Sequence, residues 1–153
     1  MKINYQKEIC GVQKDFNLQI LKNNNFYEIN CMSQNDENMG FITFEIYNSI
    51  LWIYKIETNK NFYRQGVASA ILDITEYIAI THNANRIEGK FMPNNQYARP
   101  FYEKNGFEVP NKVKSWDTYD PYWIMYKCLD AKAVKNKVAN NITMCKEDTF
   151  TLK

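Results

Sequence analysis

The run Asn61-Phe62-Tyr63-Arg64-Gln65-Gly66-Val67-Ala68-Ser69-Ala70 holds one of only five glycines in the chain, followed by small residues. An apolar run ends before it near Thr58, and a helical pattern begins at Gly66. The first N–H groups of such a helix have no internal partner and carry the positive end of its dipole. With small side chains at Gly66, Ala68 and Ser69, a phosphate can reach those amides directly, and Arg64 adds a full charge beside them. The alternative is plain: Gly66 serves the turn, and the alanines pack the helix on a sheet. The stretch is neither a P-loop nor a dinucleotide fingerprint, because the further motif glycines and a Gly-Lys-Ser/Thr are missing.

A second stretch lies about thirty residues further on, past one helix and one strand. It contains Asn95, Ala98, Phe101, Tyr102, Gly106 and Phe107. Together the two stretches resemble the GNAT acetyltransferase superfamily, whose members bind acetyl-CoA. The family's pyrophosphate loop has Gln or Arg, two free positions, Gly, one free position, then Gly or Ala. Gly66 and Ala68 fit it; Tyr63 stands where Gln or Arg is expected, with Arg64 one place later. The family's later signature, N-x-x-A-x-x-F/L-Y-x-x-x-G-F, is matched in full. The resemblance covers roughly residues 50–125 well and the N-terminal third by strand pattern only.

This resemblance implies an N-acetyltransferase acting by direct attack of a primary amine on acetyl-CoA in a ternary complex. It lays the pantetheine arm along Ile56, Glu57 and Thr58 and the pyrophosphate on Gln65, Gly66, Val67, Ala68 and Ser69, with Arg64 beside it. Asn95 would reach the pantetheine. Tyr102 would supply a proton to the leaving thiolate, its hydroxyl being protonated at neutral pH with a reference pKa of about 10. A backbone N–H near Ile56 would hold the charge developing on the thioester oxygen. Glu57 is the first candidate for the base and Glu45 the second; each is equally readable as a solvated carboxylate. The family also supplies a different class of reading, a non-catalytic acyl-CoA-binding or regulatory module on the same fold.

These residues need a frame. Phe16 to Leu21, Phe26 to Met32, Gly40 to Tyr47 and Ile50 to Glu57 read as four successive strands in an antiparallel meander. The Ile50 run is apolar on both faces, which predicts a strand in the middle of a covered sheet. Val67, Ile71, Ile74 and Ile78 predict an amphipathic helix to about Asn83. Arg86 to Met92 alternates as a strand, giving a right-handed parallel crossover. A short helix over 96–104 ends at Gly106. Phe107–Val109 and Tyr122–Leu129 complete the expected strands. The expectation is an α+β, GNAT-like mixed sheet of about six or seven strands with flanking helices. Its central parallel pair splays to admit the coenzyme. In many family members two helices between the first two strands build the acceptor pocket. Here only Lys22 to Asn25 intervene, so this lid is expected to be reduced and the acceptor side open. Trp116, Tyr119, Tyr122 and Trp123 are candidates to line it.

At 153 residues the chain reads as one domain. Residues 1–129 are expected to form the acetyltransferase domain, and 130–153 an extension with a short helix and a frayed tail. With 45% hydrophobic residues and a net charge of +2, the composition is that of a soluble globular protein and gives no support to nucleic-acid binding. No stretch approaches the roughly 20 apolar residues of a membrane span, and no signal peptide is legible, so a cytoplasmic setting is expected. Four scattered cysteines and a single histidine give zinc no support, and no metal is expected. The partners expected are acetyl-CoA and an amine acceptor, small molecule or protein. Pairing of the last strands or of the 130–138 helix would be the route to a homodimer.

Overall fold

Strand β1 (Lys2–Ile9) buries Ile3 and Tyr5 on one side. It turns through Cys10 and Gly11, both at positive φ as a two-residue hairpin loop requires, into β2 (Val12–Asn23). A second tight turn at Asn24-Asn25 leads to β3 (Phe26–Met32), with Asn24 left-handed as Asn tolerates. No helix separates β2 from β3, so the helical lid is reduced to a turn. Strand β4 (Asn38–Tyr47) follows and returns through Asn48 and Ser49 into β5 (Ile50–Thr58). The antiparallel meander expected from the alternation is present from β2 to β5, with β1 added in front.

Helix α1 (Val67–Thr81) carries the chain to β6 (Arg86–Phe91), which runs parallel to β5. Helix α2 (Ala98–Lys104), the two-residue β7 (Val113–Lys114) and β8 (Tyr122–Cys128) come next. Helix α3 (Ala131–Val138) is capped by Asp130, whose carboxylate accepts the Ala133 N–H, and β9 (Ile142–Met144) closes the chain onto β1. The computed structural model describes residues 1–110, the backbone of 113–114, and 122–144. Among the described residues one mixed sheet has nine strands, in the order β7-β8-β6-β5-β4-β3-β2-β1-β9.

Helix α1 lies across β2 to β6. Val67, Ala70, Ile71, Ile74 and Ile78 are fully buried against Leu18, Ile29, Ile42, Phe44, Leu51, Ile53 and Ile87. Each large aliphatic so buried contributes roughly 1.5–3 kcal/mol, which holds the helix and everything at its front end in place. Helix α3 packs on the back of α1 through Val134 and Val138. None of the helices among the described residues is long and apolar enough to cross a membrane.

Four expectations are corrected. Strand β5 is buried on one face only, with Leu51 and Ile53 inside, Trp52 half-buried and Tyr54 54% exposed, because α1 and α3 both lie on the other side. Helix α1 stops at Thr81, where Asn83 turns left-handed. Phe107–Val109 is not a strand. Only Glu108 reaches β8, exchanging both backbone bonds with Tyr126, and Pro110 then offers no N–H to continue the ladder. Finally, the chain past Val138 makes a 3-10 turn and β9, while 145–153, like Trp116 and Tyr119, lie outside the described residues.

Candidate active site

The parallel pair separates in its middle. Strands β5 and β6 are paired from Ile50–Arg86 to Ile53–Gly89 and no further. On the other edge of β5, Thr43 faces Lys55 and Phe44 faces Ile53, so Tyr54 is an extra residue in a β-bulge. A bulge bends and twists its strand. From Tyr54 to Thr58, β5 is therefore held by β4 alone, and its other edge faces a gap. Gly89 marks the last close approach: a Cβ there would lie 3.2 Å from the Ile53 carbonyl oxygen and collide with the Met125 thioether. Gly40 does the same at the far end, lying under Thr58 where a Cβ would meet the Glu57 carbonyl oxygen at 2.8 Å and Val67 at 2.9 Å.

The front of α1 opens beside this gap. Arg64 (φ 63) and Gly66 (φ 83) are both left-handed, and no side chain caps the helix at Gly66. Arg64 and Gln65 are exposed, Ala68 and Ser69 half-buried, and Val67 buried. The space beside the Gly66 Cα is not empty. The Ile9 side chain at the end of β1 fills it, so that a Cβ would stand 2.5 Å from the Ile9 Cδ1. Gly66 is thus both a turn glycine and a packing glycine, and the amides of the helix front have no side-chain cap.

Tyr102 comes from α2 and is 5% exposed. Its ring is enclosed by Phe91, Phe101 and Phe107, with centroids 5.3–5.7 Å away. Burial alone pushes its hydroxyl up to about 12. The end of α2 is fixed to α1 by Ser69, whose hydroxyl donates to the Asn105 side-chain oxygen at 3.3 Å, and to β8 by Lys127, which donates to the Asn105 carbonyl at 2.8 Å. Asn95 is exposed and its side-chain oxygen accepts the N–H groups of Tyr97 and Ala98, so it starts α2. Only its amide NH2 is left to face a ligand.

The two carboxylates lie on the face of the sheet away from α1. Glu57 is more than half exposed, 3.5 Å from Lys55. Glu45 accepts a 2.8 Å hydrogen bond from the Tyr54 hydroxyl. Tyr122 is buried with Lys90 over its ring, and Trp123 is half-buried under the Arg99 guanidinium. No group of three or more His, Cys, Asp or Glu among the described residues is placed to hold a metal ion. The bulge at Tyr54, the Ile9–Gly66 contact and the two close approaches at Gly40 and Gly89 have no local sequence signal. Each is made between segments far apart in the chain.

The nine-stranded mixed sheet with an uncapped helix front, a half-open parallel pair and an enclosed tyrosine on the following helix has the fold of solved acyl-CoA N-acyltransferases. The model of the acetyltransferase (GNAT) family matches residues 5–107, and the chain belongs to that family. Among solved structures, a Bacillus anthracis protein assigned as a streptothricin acetyltransferase, in complex with acetyl coenzyme A, is 22% identical with a TM-score of 0.64. That match covers 72% of this chain and 66% of the other. The Escherichia coli ribosomal-protein-S18-alanine N-acetyltransferase is 14% identical with a TM-score of 0.59, over 85% and 77% of the two chains. The PaiA N-acetyltransferase of Thermoplasma acidophilum, solved with coenzyme A, is 20% identical with a TM-score of 0.58, over 69% and 62%. No curated protein sequence matches the chain.

Proposed function

We propose that this chain is an N-acetyltransferase that moves the acetyl group of acetyl-CoA to a primary amine, with both substrates bound together. The observation that carries the reading is the unpaired β5 edge from Tyr54 to Thr58, which opens beside the uncapped front of α1. The backbone of Ile56, Glu57 and Thr58 pairs with the pantetheine amides as an added strand would. The amides of Gln65 to Ser69, with Arg64, take the pyrophosphate. The Asn95 amide NH2 is free to donate to a pantetheine carbonyl, since its oxygen is spent on α2.

The amine's nitrogen attacks the thioester carbonyl carbon; the C–N bond forms as the C–S bond breaks, and the thiolate leaves. A backbone N–H near Ile56 stabilises the oxygen's developing charge. An alkylamine titrates near ~10.4 and must shed a proton to attack, a role we give to Glu57 acting through water. Tyr102 donates to the departing sulfur. Calorimetric titration with acetyl-CoA should give a Kd in the micromolar range, about 8 kcal/mol. Thiol release on a panel of amines should then follow. No heat with the coenzyme would end the reading; binding without thiol release on any amine would reduce it to an acyl-CoA-binding module.

A further inference from the structure

On the sheet face opposite α1, Glu45 faces Trp52 across β4 and β5, and Glu88 stands beside Trp52 across the parallel pair. With Tyr47 and Tyr54 these residues line an open cavity of about 360 Å³. The tyrosines are 65% and 54% exposed, and Phe26 lies against the Tyr54 ring. Aromatic surface of this kind is normally folded away. Here it surrounds carboxylate. Glu45 forms no ion pair with a lysine or arginine among the described residues and accepts only from Tyr54. Glu88 is paired with Arg86 at 2.7 Å, and that guanidinium lies on the Tyr126 ring. Two carboxylates less one guanidinium leave the cavity a net charge of minus one. Aromatic faces around an unneutralised carboxylate suit an alkylammonium, which gains from both ring quadrupole and charge.

The place of the cavity gives that cation a purpose. A thioester lodged in the β5–β6 gap from the α1 side leaves the opposite face as the approach for an amine. Trp52 precedes Ile56 by four residues on β5, which at the rise of a bulged strand is roughly 10–13 Å. We propose that this cavity is a subsite for a second, non-reacting ammonium of the acceptor, so that the favoured acceptor is a flexible diamine with its nitrogens about that far apart. The proposal rests on the acetyl-transfer reading for the reacting end. There the free amine displaces the thiolate and its proton passes to sulfur, while the ammonium in the cavity stays protonated and is not consumed.

The test uses the full chain with 1,8-diaminooctane and octylamine, which differ by the second ammonium alone. Both are titrated calorimetrically without coenzyme, and then compared in thiol release with acetyl-CoA. The diamine should bind about tenfold tighter and show a KM lower by a similar factor. Glu45→Gln and Glu88→Gln should each shrink that ratio several-fold. A wild-type ratio near one, or a ratio that survives both substitutions, overturns the subsite. If no amine releases thiol while the coenzyme-free preference stays and responds to Glu45→Gln, the transfer reading fails and the subsite stands.

Discussion

A tyrosine hydroxyl pushed up to about 12 by burial is a reluctant acid. A thiol of reference pKa ~8.5 is the stronger acid by roughly three to four pH units, so complete transfer of the Tyr102 proton to a thiolate is uphill. The same burial makes the hydroxyl a strong and dry hydrogen-bond donor. In the proposed reaction Tyr102 is therefore suited to stabilise the departing sulfur by donating a hydrogen bond to it while keeping its own proton at neutral pH. Tyr102→Phe should lower kcat by roughly 10–100-fold, at the low end of acid–base effects, with the Kd for acetyl-CoA within about twofold of wild type. Unchanged kcat by steady-state assay would remove the residue from the mechanism. Glu57, the proposed base, is a different case: exposed and near Lys55, it would act on the amine through water. Glu57→Gln should lower kcat/KM most below pH 8, where the amine is most fully protonated, and an effect that is uniform with pH would point to a role other than proton removal.

Elements far apart in sequence meet at the loop in front of α1, and β1 is the least expected of them. Ile9 fills the space that the Gly66 side chain would need, so the end of β1 props the loop at the front of α1. Ile9→Ala should cost about 1–3 kcal/mol in thermal or urea unfolding and raise the Kd for acetyl-CoA more than it changes kcat. Gly66→Ala should lose coenzyme affinity for two reasons, the Ile9 clash and the φ of 83°. Ile9→Ala with Gly66→Ala removes the clash alone, so the pair should stay impaired; full recovery would mean that the φ is irrelevant. The parts of this architecture readable from the residues are those with a local signature. The spacing of Val67, Ile71, Ile74 and Ile78 specifies α1, and the Asn95-to-Phe107 run places Tyr102. Strand β1 carries a weak signal, because Lys2, Gln6, Lys7 and Glu8 dilute its alternation around Ile3 and Tyr5. Phe107 and Val109 read as strand residues because they are apolar, yet they pack in the core and only Glu108 between them pairs. The bulge at Tyr54 has no local signature, because it is defined by the partner's register, which no single strand carries.

At the scale of the whole molecule, the added strand and the C-terminal helix are joined to the core through charges on the back of α1. Asp73 and Glu76 have side chains only 3% and 2% exposed. Asp73 accepts from the Tyr5 hydroxyl and from Lys7 on β1, and pairs with Lys137 on α3 at 3.1 Å. Glu76 has Lys127 of β8 at 3.0 Å, with poor hydrogen-bond alignment, and Lys137 only at 4.0 Å. Burial holds the Glu76 carboxyl above its usual value, and the two lysines only partly offset that. The sign of its linkage follows. A folded-state value above the unfolded one means that ionised Glu76 costs stability, in full above the folded value and not at all below the unfolded value near 4.5. Glu76→Gln should therefore raise Tm at pH 7, by about 2–4 °C for each kcal/mol recovered, and the gain should vanish as pH falls to about 4. The loss of a partner does not strand a charge, because Lys127 still donates to Asn105 and Lys137 is 43% exposed and retains Asp73. A lower Tm at pH 7, or a gain that persists at pH 4, would show instead that Glu76 is a net tie between β8, α1 and α3.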